Sequence, residues 1–181
     1  TFNTGLDVFT SSSQANYRGP APPRPVEPSN GAFSTGPLIE NKFDGWICYP
    51  AVYGELEIAP TSRAKIVPGV RIESYNLAKG IDISPRLNGR VDIRPGFPRT
   101  TVKGGLGIFT QPPQFQEAIP PFGTEGLRSN RAIQYALGAE QEFTRNIEFS
   151  VEGFYKQLDR LVSPLPKDIG GGVEYFNVGK G

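Results

Sequence analysis

The sequence predicts an all-β fold: an antiparallel up-and-down meander of about eight strands. Apolar residues recur at every second position over most of the chain, which is the strand period. The 22 glycines and 18 prolines cluster between those runs, where the chain must turn. The connections also alternate between short and long.

In residues 1–10, Phe2, Leu6 and Val8 alternate with Asn3 and Asp7, which predicts a strand. Residues 11–45 contain ANYRGPAPPRPVEPSNG, too rich in proline for a helix, and are expected to form one long outer loop. Residues 46–181 carry the regular meander. In Pro50–Ile58, Val52, Leu56 and Ile58 alternate with Tyr53, Glu55 and Glu57. After the turn Ala59–Arg63, Ile66, Val70 and Ile72 alternate with Lys65, Arg71 and Glu73. Beyond Asn76–Asp82, Ile83, Leu87, Val91 and Ile93 alternate with Arg86, Arg90 and Asp92, and Pro95–Arg99 turns the chain again. Val102, Leu106 and Ile108 stand opposite Lys103 and Gly105, and a long loop follows over 111–129. In Asn130–Phe143, Ile133, Tyr135, Leu137 and Ala139 alternate with Gln134, Glu140 and Glu142. After Thr144–Asn146, Phe149, Val151 and Tyr155 alternate with Glu148, Glu152 and Lys156. An irregular stretch, 162–172, precedes a last strand, Val173–Val178.

In a meander every second connection falls on the same edge. One edge therefore has short turns and the other mostly long loops, which is how a transmembrane β-barrel is built. Each strand also has an apolar side and a charged side. The charged candidates are Arg71, Glu73, Arg86, Arg90, Asp92, Glu140, Glu142, Glu148 and Glu152. In a barrel this side lines a wet lumen and the apolar side meets lipid; in a soluble module the apolar side makes the core. Periodicity fits both. Trp46, Tyr49, Tyr53, Phe109 and Tyr155 lie near expected strand ends, where amphipathic rings suit a membrane-interface girdle.

The chain has 19 Lys+Arg against 18 Asp+Glu, a net charge of +1, so it carries no electrostatic footprint for nucleic acid. Histidine is absent, which removes a Ser-His-Asp set and the commonest transition-metal ligand. Cys48 lacks a histidine base and reads as an apolar strand residue. Gly104–Gly107 and Gly170–Gly172 are followed by neither Lys-Ser/Thr nor a helix, so a phosphate loop is not indicated. Neither an enzyme nor a cofactor is expected. There is no Met and residue 1 is Thr, which leads to the expectation of a fragment.

Seven short stretches occur in order. They are Tyr53-Gly54-Glu55-Leu56, Val67-Pro68-Gly69-Val70-Arg71, Ser84-Pro85-Arg86-Leu87 and Phe109-Thr110-Gln111-Pro112-Pro113. Gln134–Gln141, Val151–Lys156 with Leu158–Val162, and Tyr175–Gly179 complete the set. In this order they resemble the barrel of TonB-dependent receptors, over about residues 50–181. The resemblance implies an outer-membrane location, contact with outer-membrane lipid, and active uptake of a scarce small molecule such as a ferric siderophore. It also implies a plug domain and a TonB contact, neither visible in this sequence, and a parent barrel of about 22 strands. Loop residues that would suit a bulky, anionic metal chelate are Tyr17, Arg18, Arg24, Gln111, Phe115, Phe122 and Arg128. A passive porin and a soluble all-β binding module are the rival readings.

Overall fold

The computed structural model describes residues 1–20, 38–119, 123–166 and 173–181. The strands are β1 (Phe2–Pro20), β2 (Leu38–Leu56), β3 (Ile58–Thr61), β4 (Ala64–Ser74), β5 (Ile81–Arg94), β6 (Thr100–Gln111), β7 (Asn130–Thr144), β8 (Ile147–Asp159), β9 (Leu161–Pro166) and β10 (Val173–Gly179). A four-residue helix, α1 (Phe115–Ala118), lies in the loop between β6 and β7. The main sheet is eight-stranded and antiparallel in the order β1-β2-β4-β5-β6-β7-β8, with β3 also on β4; β9 and β10 form a separate hairpin. Neighbours in sequence are neighbours in space, as the meander expects.

Both ends of each strand follow from local chemistry. Residues 62–63, 95–99 and 145–146 make tight turns at one end. At the other end lie residues 75–80, the described parts of 112–129, and the paired strand ends Pro20 with Leu38 and Pro166 with Val173. The predicted asymmetry is therefore present.

Two stretches read as loop are strand. In the expected outer loop 11–45, residues 11–20 and 38–45 are paired, from Ser11 with Ile47 to Pro20 with Leu38. The hydrophobic signal fades there because polar residues such as Gln14, Asn16, Lys42 and Asp44 dominate and the few apolar ones keep no period of two; Gln14 donates to Asp44 at 3.1 Å across the hairpin. The pairing runs as far as Pro20 with Leu38. Similarly, Leu161–Pro166 in the expected irregular stretch 162–172 pairs with β10. Pro164 and Pro166 are two apart, so their donor-free nitrogens face the same strand edge and leave the other edge able to pair.

The sheet has no second layer among the described residues. Leu6, Val52, Ile72, Ile83, Leu106, Leu137 and Val151 share one side by register. They stay exposed, Leu6 at 71% and Leu137 at 68%. An apolar side this wide, left uncovered, is not how a soluble sandwich is arranged.

Leu137→Arg in the full-length barrel is expected to cost about 2–4 kcal/mol, the usual penalty for a cation at mid-membrane on a lipid-facing wall. Denaturant titration of the protein refolded into lipid vesicles measures it. Gln134→Arg, on the opposite side of the same strand, should cost under about 1 kcal/mol.

Candidate functional site: the charged wall and its outer loops

The other side of the sheet is polar, and register brings its residues together. Arg71, Glu73, Arg86, Arg90, Asp92, Glu140, Glu142, Glu148 and Glu152 all lie on it. Side chains here are paired across strands. Arg71 donates to Asp7 of β1 and to Glu73, each at 2.7 Å. Arg86 reaches Glu55 of β2 at 3.1 Å. Lys65, Arg90 and Lys103 sit side by side on three successive strands, a like-charge row that would repel. Each is neutralised by a neighbouring carboxylate. Lys65 meets Glu57 at 2.8 Å, Arg90 meets Asp92 at 3.2 Å, and Lys103 meets Glu140 at 2.8 Å and Glu152 at 3.5 Å. Glu142 lies directly opposite Glu148 and is offset by Arg99 at 2.9 Å.

Glycines let these long chains lie flat against the wall. A Cβ at Gly69 would stand 3.2 Å from Arg86 Nε, and one at Gly138 would stand 3.3 Å from Lys103 Cε. At Gly5 it would collide with the Tyr53 ring, which covers that glycine.

Near the long-loop end the wall changes character. The ladder between β5 and β6 stops at Arg86–Gly107. Beyond it the two strands are joined by side chains: Ser84 Oγ and Thr110 Oγ1 are 3.0 Å apart, and Thr110 donates to Glu73 at 2.9 Å. Glu73, only 6% exposed, also accepts from Arg71, and Tyr49 stands beside it. These residues, with Arg86 and Phe109, line a hollow of about 220 Å³.

The five aromatic candidates therefore separate. Trp46 and Tyr155 lie on the apolar side, and the Tyr155 ring packs beside Tyr135 at 6.4 Å. Tyr49, Tyr53 and Phe109 lie on the charged side and do not belong to an apolar girdle. Nearness to a strand end suggested the wrong side, although residue parity already placed Tyr53 with Glu55 and Glu57. Cys48 is a free thiol in the apolar row of Trp46 and Val52, with its amide bonded to Asn76 at 2.9 Å.

The outer loops contain a small packed core. Pro113, Ala118, Ile119, Leu127, Ser129 and Tyr75 are buried there, Ser129 at 1% exposure. Burial pushes the Tyr75 phenol above its ordinary range. Helix α1 opens with a capping box between Gln114 and Glu117. The loop is tied on both flanks. Lys79 donates to the Leu127 carbonyl at 2.7 Å, and the Tyr175 amide donates to Thr124 at 2.9 Å. Asn177 accepts from the Arg128 amide at 2.8 Å and donates to the Arg128 and Arg160 carbonyls at 2.7 and 3.0 Å. Asn76 caps the edge of β2 beyond β4, donating to the Trp46 carbonyl at 2.8 Å. Nothing in the sequence marked Asn76 or Asn177, because their partners lie 30 and 49 residues away.

Among the ligand candidates, Tyr17 and Arg18 are exposed on the outer part of β1, Gln111 ends β6, Phe115 opens α1, and Arg128 is exposed beside Asn177. Arg24 and Phe122 lie outside the described residues. The described five lie toward the long-loop end of the sheet.

A single sheet, apolar and uncovered on one side, charged and cross-paired on the other, with its long loops at one end, is a segment of a membrane β-barrel wall. The chain belongs to the TonB-dependent receptor-like β-barrel family, whose model matches residues 1–181. Its fold is similar to a variant of the ferric enterobactin receptor PfeA of Pseudomonas aeruginosa, with TM-score 0.69 and 15% identity over 99% of this chain and 29% of that one. It is also similar to the siderophore receptor PirA of the same organism, with TM-score 0.62 and 16% identity over 98% of this chain and 35% of that one. The chain thus spans about a third or less of the length of these structures. No curated protein matches it by sequence.

Asn177→Ala removes the acceptor of the Arg128 amide and is expected to raise its hydrogen exchange about fivefold. The loss of one such bond, about 1 kcal/mol, sets that scale. Exchange measured by mass spectrometry on the peptide spanning 123–130 reads the change. Glu73→Ala should cost about 1–3 kcal/mol in the full-length barrel, since Arg71 and Thr110 lose an acceptor.

Proposed function

We propose that this chain forms part of the barrel wall of an outer-membrane receptor for TonB-dependent active uptake of a scarce small molecule, such as a ferric siderophore. Membership of the receptor family along the whole chain carries this reading. The apolar side meets outer-membrane lipid, with Trp46 and Tyr155 at the membrane interface. The charged side lines the lumen. Its ion pairs are already formed, so a plug in the complete protein would meet a wall of matched charges. TonB would act through that plug, drawing on the inner-membrane proton gradient. No step uses this chain as a catalyst.

The long-loop end faces outward, as in barrels of this build. Tyr17, Arg18, Gln111, Phe115 and Arg128 are the residues proposed to meet ligand there, and Arg24 and Phe122, outside the described residues, belong to the same proposal. Aromatic faces and guanidinium forks suit a bulky anionic chelate. The packed loop core around Leu127 holds Arg128 steady toward the outer side.

The full-length receptor, expressed in a cell lacking other siderophore receptors, is expected to restore iron-limited growth on its ferric siderophore only when TonB is present. Growth independent of TonB would instead indicate a passive pore. Arg18→Glu or Arg128→Glu should each weaken ligand binding about tenfold, roughly 1.4 kcal/mol, measured by intrinsic fluorescence quenching on the purified receptor.

A further inference from the structure

The apolar side of the sheet is not uniform. Gly89 of β5 pairs directly with Gly104 of β6, and by register both belong to the apolar row. Two adjacent positions without side chains leave a depression of about 480 Å³, walled by Ile66, Leu87, Val91, Val102, Leu106 and Leu137. A Cβ at Gly89 would meet only a backbone oxygen, at 3.6 Å, so the position opens outward. The ladder runs unbroken through both glycines, and no backbone donor there is left to recruit a polar group.

A second feature lies at the short-turn end of the same strand. Asp92 pairs with Thr101, but Arg94 pairs with Thr100, so a bulge falls at Ile93. A bulge re-aims the side chains that follow it. Without it, Arg94 would join Arg90 and Asp92 on the charged side. With it, Arg94 stands opposite Thr100, in the row of Val102 and Gly104. Arg94 is exposed, and Asp92 is already engaged by Arg90 and Thr101. Five residues separate Gly89 from Arg94, about 16 Å of strand. Tilted by about 45°, as barrel strands are, this covers roughly 11 Å of the roughly 15 Å hydrocarbon depth of one leaflet, and the long Arg94 side chain spans the remainder to the headgroups.

We propose that this part of the wall is a binding site for a phospholipid of the leaflet on the short-turn side. Its phosphate sits on Arg94 and one acyl chain fills the depression over Gly89 and Gly104. The proposal rests on the membrane reading above. Hydrocarbon gives no hydrophobic drive to fill a hollow in a lipid-facing wall. Retention therefore comes from the charge-assisted bond to Arg94 and from dispersion contacts in the depression. Arg94 sets the headgroup position, and the paired glycines set the path of the chain.

The test uses the full-length receptor in vesicles containing phosphatidylglycerol with a photoactivatable diazirine at mid-chain. Labelled peptides are mapped by mass spectrometry, and lipid retained after detergent extraction is counted by native mass spectrometry. The expected result is one retained phospholipid and label concentrated on the segments around Gly89 and Gly104. Arg94→Ala and Gly89→Leu should each lower that label several-fold while leaving the label at Val151, on the same side of the sheet, unchanged. Arg94→Ala removes no packed group, so it stays informative where Gly89→Leu fails to fold. Label at Gly89 no stronger than at Val151, and indifferent to both variants, overturns the site while leaving the membrane wall intact. Absence of label at both positions overturns the membrane reading with it. Crosslinks from this segment to a second receptor copy assign the depression to a protein contact and overturn the lipid proposal.

Discussion

A chain that crosses hydrocarbon has no water to satisfy its backbone, so every amide and carbonyl must find a partner within the protein. The continuous ladder from β1 to β8 answers that constraint, and the rest of the structure depends on it. Once strand pairing is fixed, side chains have two sides to choose between. Through the middle of the sheet the strands then send their aliphatic residues one way and their charges the other. A register slip of one residue would place Arg71, Arg86 and Arg90 in lipid, so hydrocarbon itself selects the register.

The charged wall shows how such a side is kept stable. Cations that the ladder sets abreast, Lys65, Arg90 and Lys103, are held by carboxylates from their own or adjoining strands. Each exposed pair contributes little by itself. Together they leave a surface whose charges are matched locally and whose long side chains lie flat over glycines. Where the ladder between β5 and β6 ends, Ser84, Thr110 and Glu73 take over the joining of the strands through side chains. The loop beyond is not slack either, since a small apolar core and Asn177 hold it against the β9–β10 hairpin.

Much of this was legible in the chain because the strand period is local. Alternation in Ile83–Arg94 or Asn130–Phe143 gives strand, side and charge without any knowledge of neighbours. The same locality explains the misreadings. Residues 11–20 and 38–45 carry their few apolar residues without a period of two, so hydrophobicity gives no strand signal although the backbones pair. Pro164 and Pro166 look like breakers until it is seen that one edge of the strand remains free to pair. Tyr49, Tyr53 and Phe109 were judged by distance from a turn, when parity decides which side they occupy.

The sequence by itself determined the strand period, the alternation of short turns with long loops, and the separation of apolar from charged side chains. Those properties follow from residues close together in the chain and from proline and glycine geometry. Tertiary structure alone decided which charges meet, as with Arg71 and Asp7 or Lys103 and Glu152, and that the glycines of β5 and β6 lie side by side. It also decided that a bulge turns Arg94 out of its row. Such facts depend on register between strands, which is fixed by pairing over the whole sheet rather than by any local stretch.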